Sequence, residues 1–177
     1  FYGPSTLRVG LEKSRNLMTV RIAQNIGINN IVEFSKKLKI YDNPEELLSI
    51  SLGSAETTLL KLTSAYSAFV NGGKLVKPII IDRVQDSEGN TIVNNEKRVC
   101  ENCDQISFTS MDYPKIENNY LQAFSPQTAY QITSMLEGVI QRGTGKKLKK
   151  LKLNLAGKTG TTNENTDAWF IGFTSNL

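Results

Sequence analysis

Lys158-Thr159-Gly160-Thr161-Thr162 gathers one ammonium and three hydroxyls around a glycine. Such a segment suits an anion. The lysine supplies charge, the threonines supply hydroxyl donors, and the backbone N–H groups at Gly160 have no side chain in front of them. Phosphate is the first ligand to test. A phosphate loop of the form GxxxxGK[ST] ending at Gly157-Lys158-Thr159 requires glycine at position 152, which is lysine. Gly143-Thr144-Gly145-Lys146 fails too, because Ile140 stands where the first glycine belongs. A second cluster is Ser14-Arg15-Asn16. Alone, Ser-x-Asn fits equally well a cap or turn ahead of the helix that begins near Leu17. Taken jointly with Lys158, it adds a hydroxyl and an amide to an ammonium.

The chain contains no histidine. That excludes Ser-His-Asp and Cys-His nucleophile systems within it. Histidine-based zinc sites are excluded as well, and two cysteines are too few for an all-thiolate one. No metal or cofactor is expected. Serine or threonine chemistry here needs another base, and lysine is the obvious substitute. Cys100-Glu101-Asn102-Cys103 is a lone CxxC without the second pair a zinc ribbon needs. It lies among polar, strand-breaking residues, so a local disulfide between Cys100 and Cys103 in an oxidising compartment is expected. Two free thiols in a reducing compartment are the alternative.

The elements that must hold these residues can be read from periodicity. Residues 1–27 begin as a loop and end as a helix with Leu17, Val20, Ala23 and Ile26 at helical spacing and Gly27 as its stop. Asn30 with Glu33 reads as a capping box for a second helix with Ile31, Phe34 and Leu38 on its apolar face. Tyr41-Asp42-Asn43-Pro44 breaks the pattern. A third helix spans about Thr58 to Val70, with Leu59, Leu62, Tyr66, Phe69 and Val70 as its buried stripe, and Asn71-Gly72-Gly73 ends it. Val76 to Val84 is β-rich, and with the turn Ser87-Glu88-Gly89-Asn90 and Thr91-Ile92-Val93 it reads as a hairpin. Residues 94–124 read as an insertion or long loop.

Ser125-Pro126 opens a helix with Ala129, Ile132, Leu136, Val139 and Ile140 on its core face, ended by Gly143. Leu153 to Lys158 reads as a strand running into a tight Thr-Gly-Thr-Thr segment. Ala168-Trp169-Phe170-Ile171-Gly172-Phe173 reads as a covered strand. The fold class is therefore α+β, helices packed on a small antiparallel sheet.

At 177 residues, 39% apolar and 21% charged, the chain amounts to one ordinary globular domain or a large piece of one. No apolar run reaches the ~18 to 20 residues that span a bilayer. The net charge of +4 is concentrated in Lys146-Lys147-Leu148-Lys149-Lys150-Leu151-Lys152, five lysines in seven positions. That stretch reads as a solvated loop. Anionic lipid, nucleic acid or an acidic polymer are its other conceivable partners, but no aromatic platform points to nucleic acid.

The pairing of Ser14-Arg15-Asn16 with Lys158-Thr159-Gly160-Thr161 resembles the penicillin-binding proteins and serine β-lactamases. Glu12-Lys13-Ser14-Arg15-Asn16-Leu17-Met18-Thr19-Val20-Arg21 resembles the Ser-x-Asn region of class A bifunctional penicillin-binding proteins. Ser51-Leu52-Gly53-Ser54-Ala55-Glu56-Thr57, Asn71-Gly72-Gly73, Ser125-Pro126-Gln127-Thr128-Ala129-Tyr130, Arg142-Gly143-Thr144-Gly145 and Asp167-Ala168-Trp169-Phe170-Ile171-Gly172-Phe173 extend the match collinearly over all but residues 94–124. The resemblance implies a partial transpeptidase domain over residues 1–177. It implies a D,D-transpeptidase that cross-links peptidoglycan stem peptides ending in D-Ala-D-Ala through a serine acyl-enzyme, and that binds β-lactams. Its parent would be membrane-anchored and face the periplasm.

By motif position, Ser14 would relay a proton, Asn16 would hydrogen-bond the substrate amide, and Lys158 would hold a positive field near the terminal carboxylate. Thr159 and Thr161 would offer it hydroxyls, Gly160 would keep the strand open, and the Thr161 N–H would be an oxyanion donor. The family's lysine base also accounts for the missing histidine.

One departure is serious: no serine of the chain has a lysine three residues on. The Ser-x-x-Lys nucleophile would then lie upstream of Phe1, and the chain reads as an excerpt, inactive alone. Alternatives are a degenerate, non-catalytic peptidoglycan-binding module, or a nucleotide- or polyanion-binding domain using the Gly-Lys-Thr loop. A sheet missing its edge strands would expose unpaired backbone, so dimerisation or strand exchange is expected.

Overall fold

The computed structural model describes residues 3–95, 98, 100, 101, 103, 115, 116, 120–161 and 168–174. They fall into two compact units, Phe1–Val76 with Gln122–Leu177, and Lys77–Leu121. Among the described residues the first unit holds five α-helices. Thr6 opens α1 (Leu7–Glu12) by accepting from the Val9 N–H. This turn and a half was expected to be loop; its six residues are too few to display an apolar period. Next comes α2 (Asn16–Ile26), and Gly27 at φ 92° separates it from α3 (Ile28–Lys37). The capping box at Asn30 does not form. Asn30 lies inside α3, and its side-chain amide donates back to the Ile26 carbonyl. Val32, Ser35 and Leu38 face the core, while Phe34 is exposed and touches the Phe124 ring at 6.1 Å.

Thr58 caps α4 (Leu59–Val70) through the Lys61 N–H, where the sequence places the start. The buried positions of α4 are Ala65 and Ala68 rather than Leu59 and Val70, which are exposed. Ala65 and Ala68 pack with Leu38, Leu75 and Ala123. Ser125 caps α5 (Pro126–Gln141), with Pro126 in its first turn. Its buried face comprises Ala129, Leu136, Gly138, Val139 and Ile140.

The second unit contains β1 (Arg83–Gln85) paired antiparallel with β2 (Thr91–Asn94), and β3 (Cys100–Glu101) paired with β4 (Lys115–Ile116). The hairpin turn forms as expected around Asp86, whose carboxylate accepts from the N–H groups of Glu88 and Asn90. The β-rich run Ile79-Ile80-Ile81 is not a strand and is exposed. Most of residues 94–124, the expected insertion, lies outside the described residues.

Back in the first unit, a 3-10 segment (Lys146–Leu151) leads into β5 (Ala156–Thr161), which pairs antiparallel with β6 (Ala168–Phe173). Lys158-Thr159-Gly160-Thr161 is thus strand, not a tight turn. β6 is also not covered on both faces: only Ile171 is buried, and Trp169 and Phe170 are exposed. The architecture is mixed α+β, with the small sheet split into two-stranded pieces among the described residues.

Two groups of side chains form the core of this unit. Leu38, Ala65, Ala68, Leu75 and Ala123 pack together with Ile40 and Phe124. Ile140 and Val139 are fully buried on α5, a helix that packs against β5. The second group carries the strand on which Lys158 sits.

Candidate functional site

Ser14 stands in the short turn between α1 and α2. Its backbone adopts φ 51°, a left-handed conformation in which non-glycine residues are uncommon. The turn is tied locally by Ser14 N–H to the Leu11 carbonyl at 3.1 Å and Arg15 N–H to the Gly10 carbonyl at 2.9 Å. Asn16, the first residue of α2, follows at the surface. Its side-chain amide has no protein partner among the described residues and is open to a ligand.

Lys158 projects from the third position of β5 and donates from Nζ to the Ser14 Oγ at 2.8 Å and to the Thr159 carbonyl at 2.8 Å. The two side chains are 144 residues apart in sequence. Burial pushes the Lys158 ammonium below the ordinary lysine range, because removing water penalises the charged form. The Lys158 ammonium and Ser14 hydroxyl thus form one unit, a donor–acceptor pair with a proton to share.

Beside it, the Thr159 and Thr144 hydroxyls meet at 2.6 Å. Gly160 and Thr161 are exposed, and a Cβ placed on Gly160 would meet nothing within 4 Å. Among the described residues β5 pairs only with β6, and its other edge carries no strand among them. An extended peptide fits such an edge by backbone hydrogen bonding. Thr162 and Asp167 lie outside the described residues.

Three residues that sequence reasoning placed in matching stretches without a role border the site. Glu12 is buried at 3% exposure and is gripped by Arg142, with Nη2 to Oε1 at 2.6 Å and Nε to Oε2 at 3.3 Å. Thr144 N–H donates to the Glu12 carbonyl at 3.2 Å. A carboxylate in an unrecognised helix reads as a solvent-facing residue. The one available signal was the pair of glycines at 138 and 143, where a Cβ would collide with the Glu12 carboxylate and the Glu12 carbonyl respectively.

Other sequence features stand apart. Cys100 and Cys103 have Cα atoms 5.8 Å apart with their sulfurs paired. Lysines 146 to 152 make no ion pair among the described residues. A cavity of about 470 Å³ between Tyr41, Pro44, Leu47, Ile50 and Glu56 contains none of the site residues. Among the described residues no cluster of metal-ligating side chains occurs, and no helix is long and apolar enough to cross a membrane.

Comparison with known proteins shows the family. A family model described as the penicillin-binding protein transpeptidase domain matches residues 1–176. Penicillin-binding protein 1A of Rickettsia bellii is 44% identical over 180 residues, covering all of this chain and 23% of that protein. Penicillin-binding protein 1A of Pseudomonas aeruginosa is 32% identical, with 99% of this chain and 25% of that protein covered. The crystal structure of penicillin-binding protein 1A from Haemophilus influenzae superposes with a TM-score of 0.76 at 28% identity, over 96% of this chain and 28% of that one. The chain therefore spans about a quarter of the length of these relatives. Its fold is that of the transpeptidase domains, and the chain belongs to the penicillin-binding protein transpeptidase domain family.

Proposed function

We propose that this chain is the substrate-binding part of a peptidoglycan D,D-transpeptidase that acylates on a serine and is trapped by β-lactams. The observation that carries the reading is the 2.8 Å contact from Lys158 Nζ to Ser14 Oγ, which joins the two motifs across the chain. A hydroxyl held against a desolvated ammonium can pass a proton to a leaving nitrogen and take one from an attacking amine. In this reading Ser14 is that relay, and Lys158 offers positive charge to the carboxylate that ends the stem peptide or the β-lactam. Asn16 donates to the ligand's amide. Thr159 and Thr161 supply hydroxyls along β5, where Gly160 keeps the strand open to close approach.

The nucleophile is assigned to a part of the protein outside these 177 residues, since no serine here has a lysine three positions on. The working enzyme then faces the periplasm on a membrane anchor supplied by the rest of the protein. Fluorescent penicillin labelling of the full-length protein beside the 177-residue chain tests this. Labelling of the first and not the second is expected. Labelling of neither would favour a non-catalytic relative. Covalent labelling of the 177-residue chain itself would refute the placement of the nucleophile.

A further inference from the structure

We infer that Glu12 and Arg142 are a positioning pair that sets the Ser14 hydroxyl against Lys158; the inference rests on the transpeptidase reading above. Glu12 lies two residues before Ser14 and ends α1, and Arg142 lies just past the end of α5. The Glu12 side chain is 5% exposed, whereas Arg142 keeps 58% of its side chain in water. Apolar residues of similar size would hold such a joint at least as stably as a buried charge. What the ion pair adds is direction. Two N–H groups of one planar guanidinium meet the two oxygens of one carboxylate, which fixes both translation and rotation.

The surrounding contacts close a ring around the site. The Lys13 ammonium donates to the Arg142 carbonyl at 2.5 Å, so the turn before Ser14 is bound to the end of α5 by side chain as well. The Glu12 carbonyl receives the Thr144 N–H, the Thr144 hydroxyl meets that of Thr159, and Thr159 adjoins Lys158. Lys158 then returns to Ser14. Arg8 stands outside the ring, 3.8 Å from the Glu12 carboxylate. Gly138 and Gly143 leave room for Glu12, since a Cβ at the first would overlap its carboxylate and one at the second its carbonyl. Such enclosure also explains how a serine can hold a left-handed backbone: conformations of that kind persist only where their surroundings over-determine them.

The test uses the full-length protein with a fluorescent penicillin, separating the acylation rate constant from the pre-acylation binding constant. Glu12→Gln keeps the shape and removes the charge; Arg142→Lys keeps the charge and removes the fork. Each is expected to slow acylation about ten- to a hundredfold, the scale of a reacting group misplaced by roughly 1 Å. The binding constant should change little, because the carboxylate and amide contacts lie on Lys158 and Asn16. Arg8→Lys should acylate at the parental rate. Folded Glu12→Gln and Arg142→Lys proteins that acylate normally would overturn the inference. So would loss of folding in both, which would assign the pair to stability alone. If the unaltered full-length protein is not labelled, the transpeptidase reading itself fails, and this inference with it.

Discussion

Replacing Gly138 with alanine sets helix propensity against the Glu12 carboxylate. Alanine in a helix interior is favoured over glycine by ~1 kcal/mol, and Gly138 lies inside the last turns of α5. The new Cβ, however, would overlap Glu12 Oε1 and stand 2.5 Å from Glu12 Cδ and 2.7 Å from Arg142 Nη2. The guanidinium can swing outward, but the carboxylate is buried and has little room to retreat. Forcing a methyl group into a filled interior site costs ~1 to 3 kcal/mol. The overlap falls on the buried carboxylate, so we take the upper end, ~3 kcal/mol.

Subtracting the helix gain leaves a net destabilisation of about 2 kcal/mol, or roughly 4 to 8 °C in melting temperature for a domain of this size. Thermal melts of the full-length protein, following the transition that shifts on penicillin binding, would read it. In a Glu12→Ala background the overlap vanishes, and Gly138→Ala should become neutral or stabilising. A single Gly138→Ala protein that melts at or above the parental temperature would refute this reasoning.

Further outcomes follow from the same geometry. Pre-acylation binding of a carboxylate-bearing β-lactam should weaken as pH rises toward the ordinary lysine range of ~10.4, with the loss setting in below it. The sign follows from burial, which lowers the Lys158 pKa so that the ammonium is lost sooner. Binding that stays flat over that range would contradict the role given to Lys158. Gly160→Ala should leave the melting temperature unchanged or slightly higher, since its Cβ meets no protein atom within 4 Å. It should nevertheless slow acylation, because the methyl group stands where the ligand must approach; an unchanged rate would move the ligand elsewhere. Mass spectrometry after non-reducing alkylation should find Cys100 and Cys103 unlabelled, and alkylation of both would refute the bridge.

Local chemistry made some elements legible and left others hidden. The start of α5 was plain because Ser125 and Pro126 satisfy its first N–H groups whatever surrounds the helix. The buried face of α4 was not. Periodicity picks large apolar residues, whereas the residues buried among Leu38, Leu75 and Ala123 are Ala65 and Ala68. Ile79-Ile80-Ile81 has strand composition yet no ladder, because β-propensity expresses itself only where a partner strand is supplied. Trp169 and Phe170 looked interior, but what covers a strand is decided by tertiary context that composition does not carry.

The site shows the same division. Ser14, Asn16 and Lys158 were legible only jointly, as a hydroxyl, an amide and an ammonium, and a place for them in acyl transfer came from resemblance. That Lys158 touches Ser14 is a fact of the fold, available beforehand only through resemblance. Glu12 and Arg142 escaped notice because α1 is too short to show an apolar face, so nothing marked the carboxylate as buried.

The central claim is that the Ser14–Lys158 pair is the proton-handling unit of a β-lactam-reactive transpeptidase. Its most direct test is the acylation rate constant of the full-length protein carrying Ser14→Ala, measured with a fluorescent penicillin beside the unaltered protein. General acid–base contributions of this kind amount to about 10² to 10⁴ in rate. A folded Ser14→Ala protein slowed by about a hundredfold or more is the predicted result. Acylation at the parental rate would contradict the account.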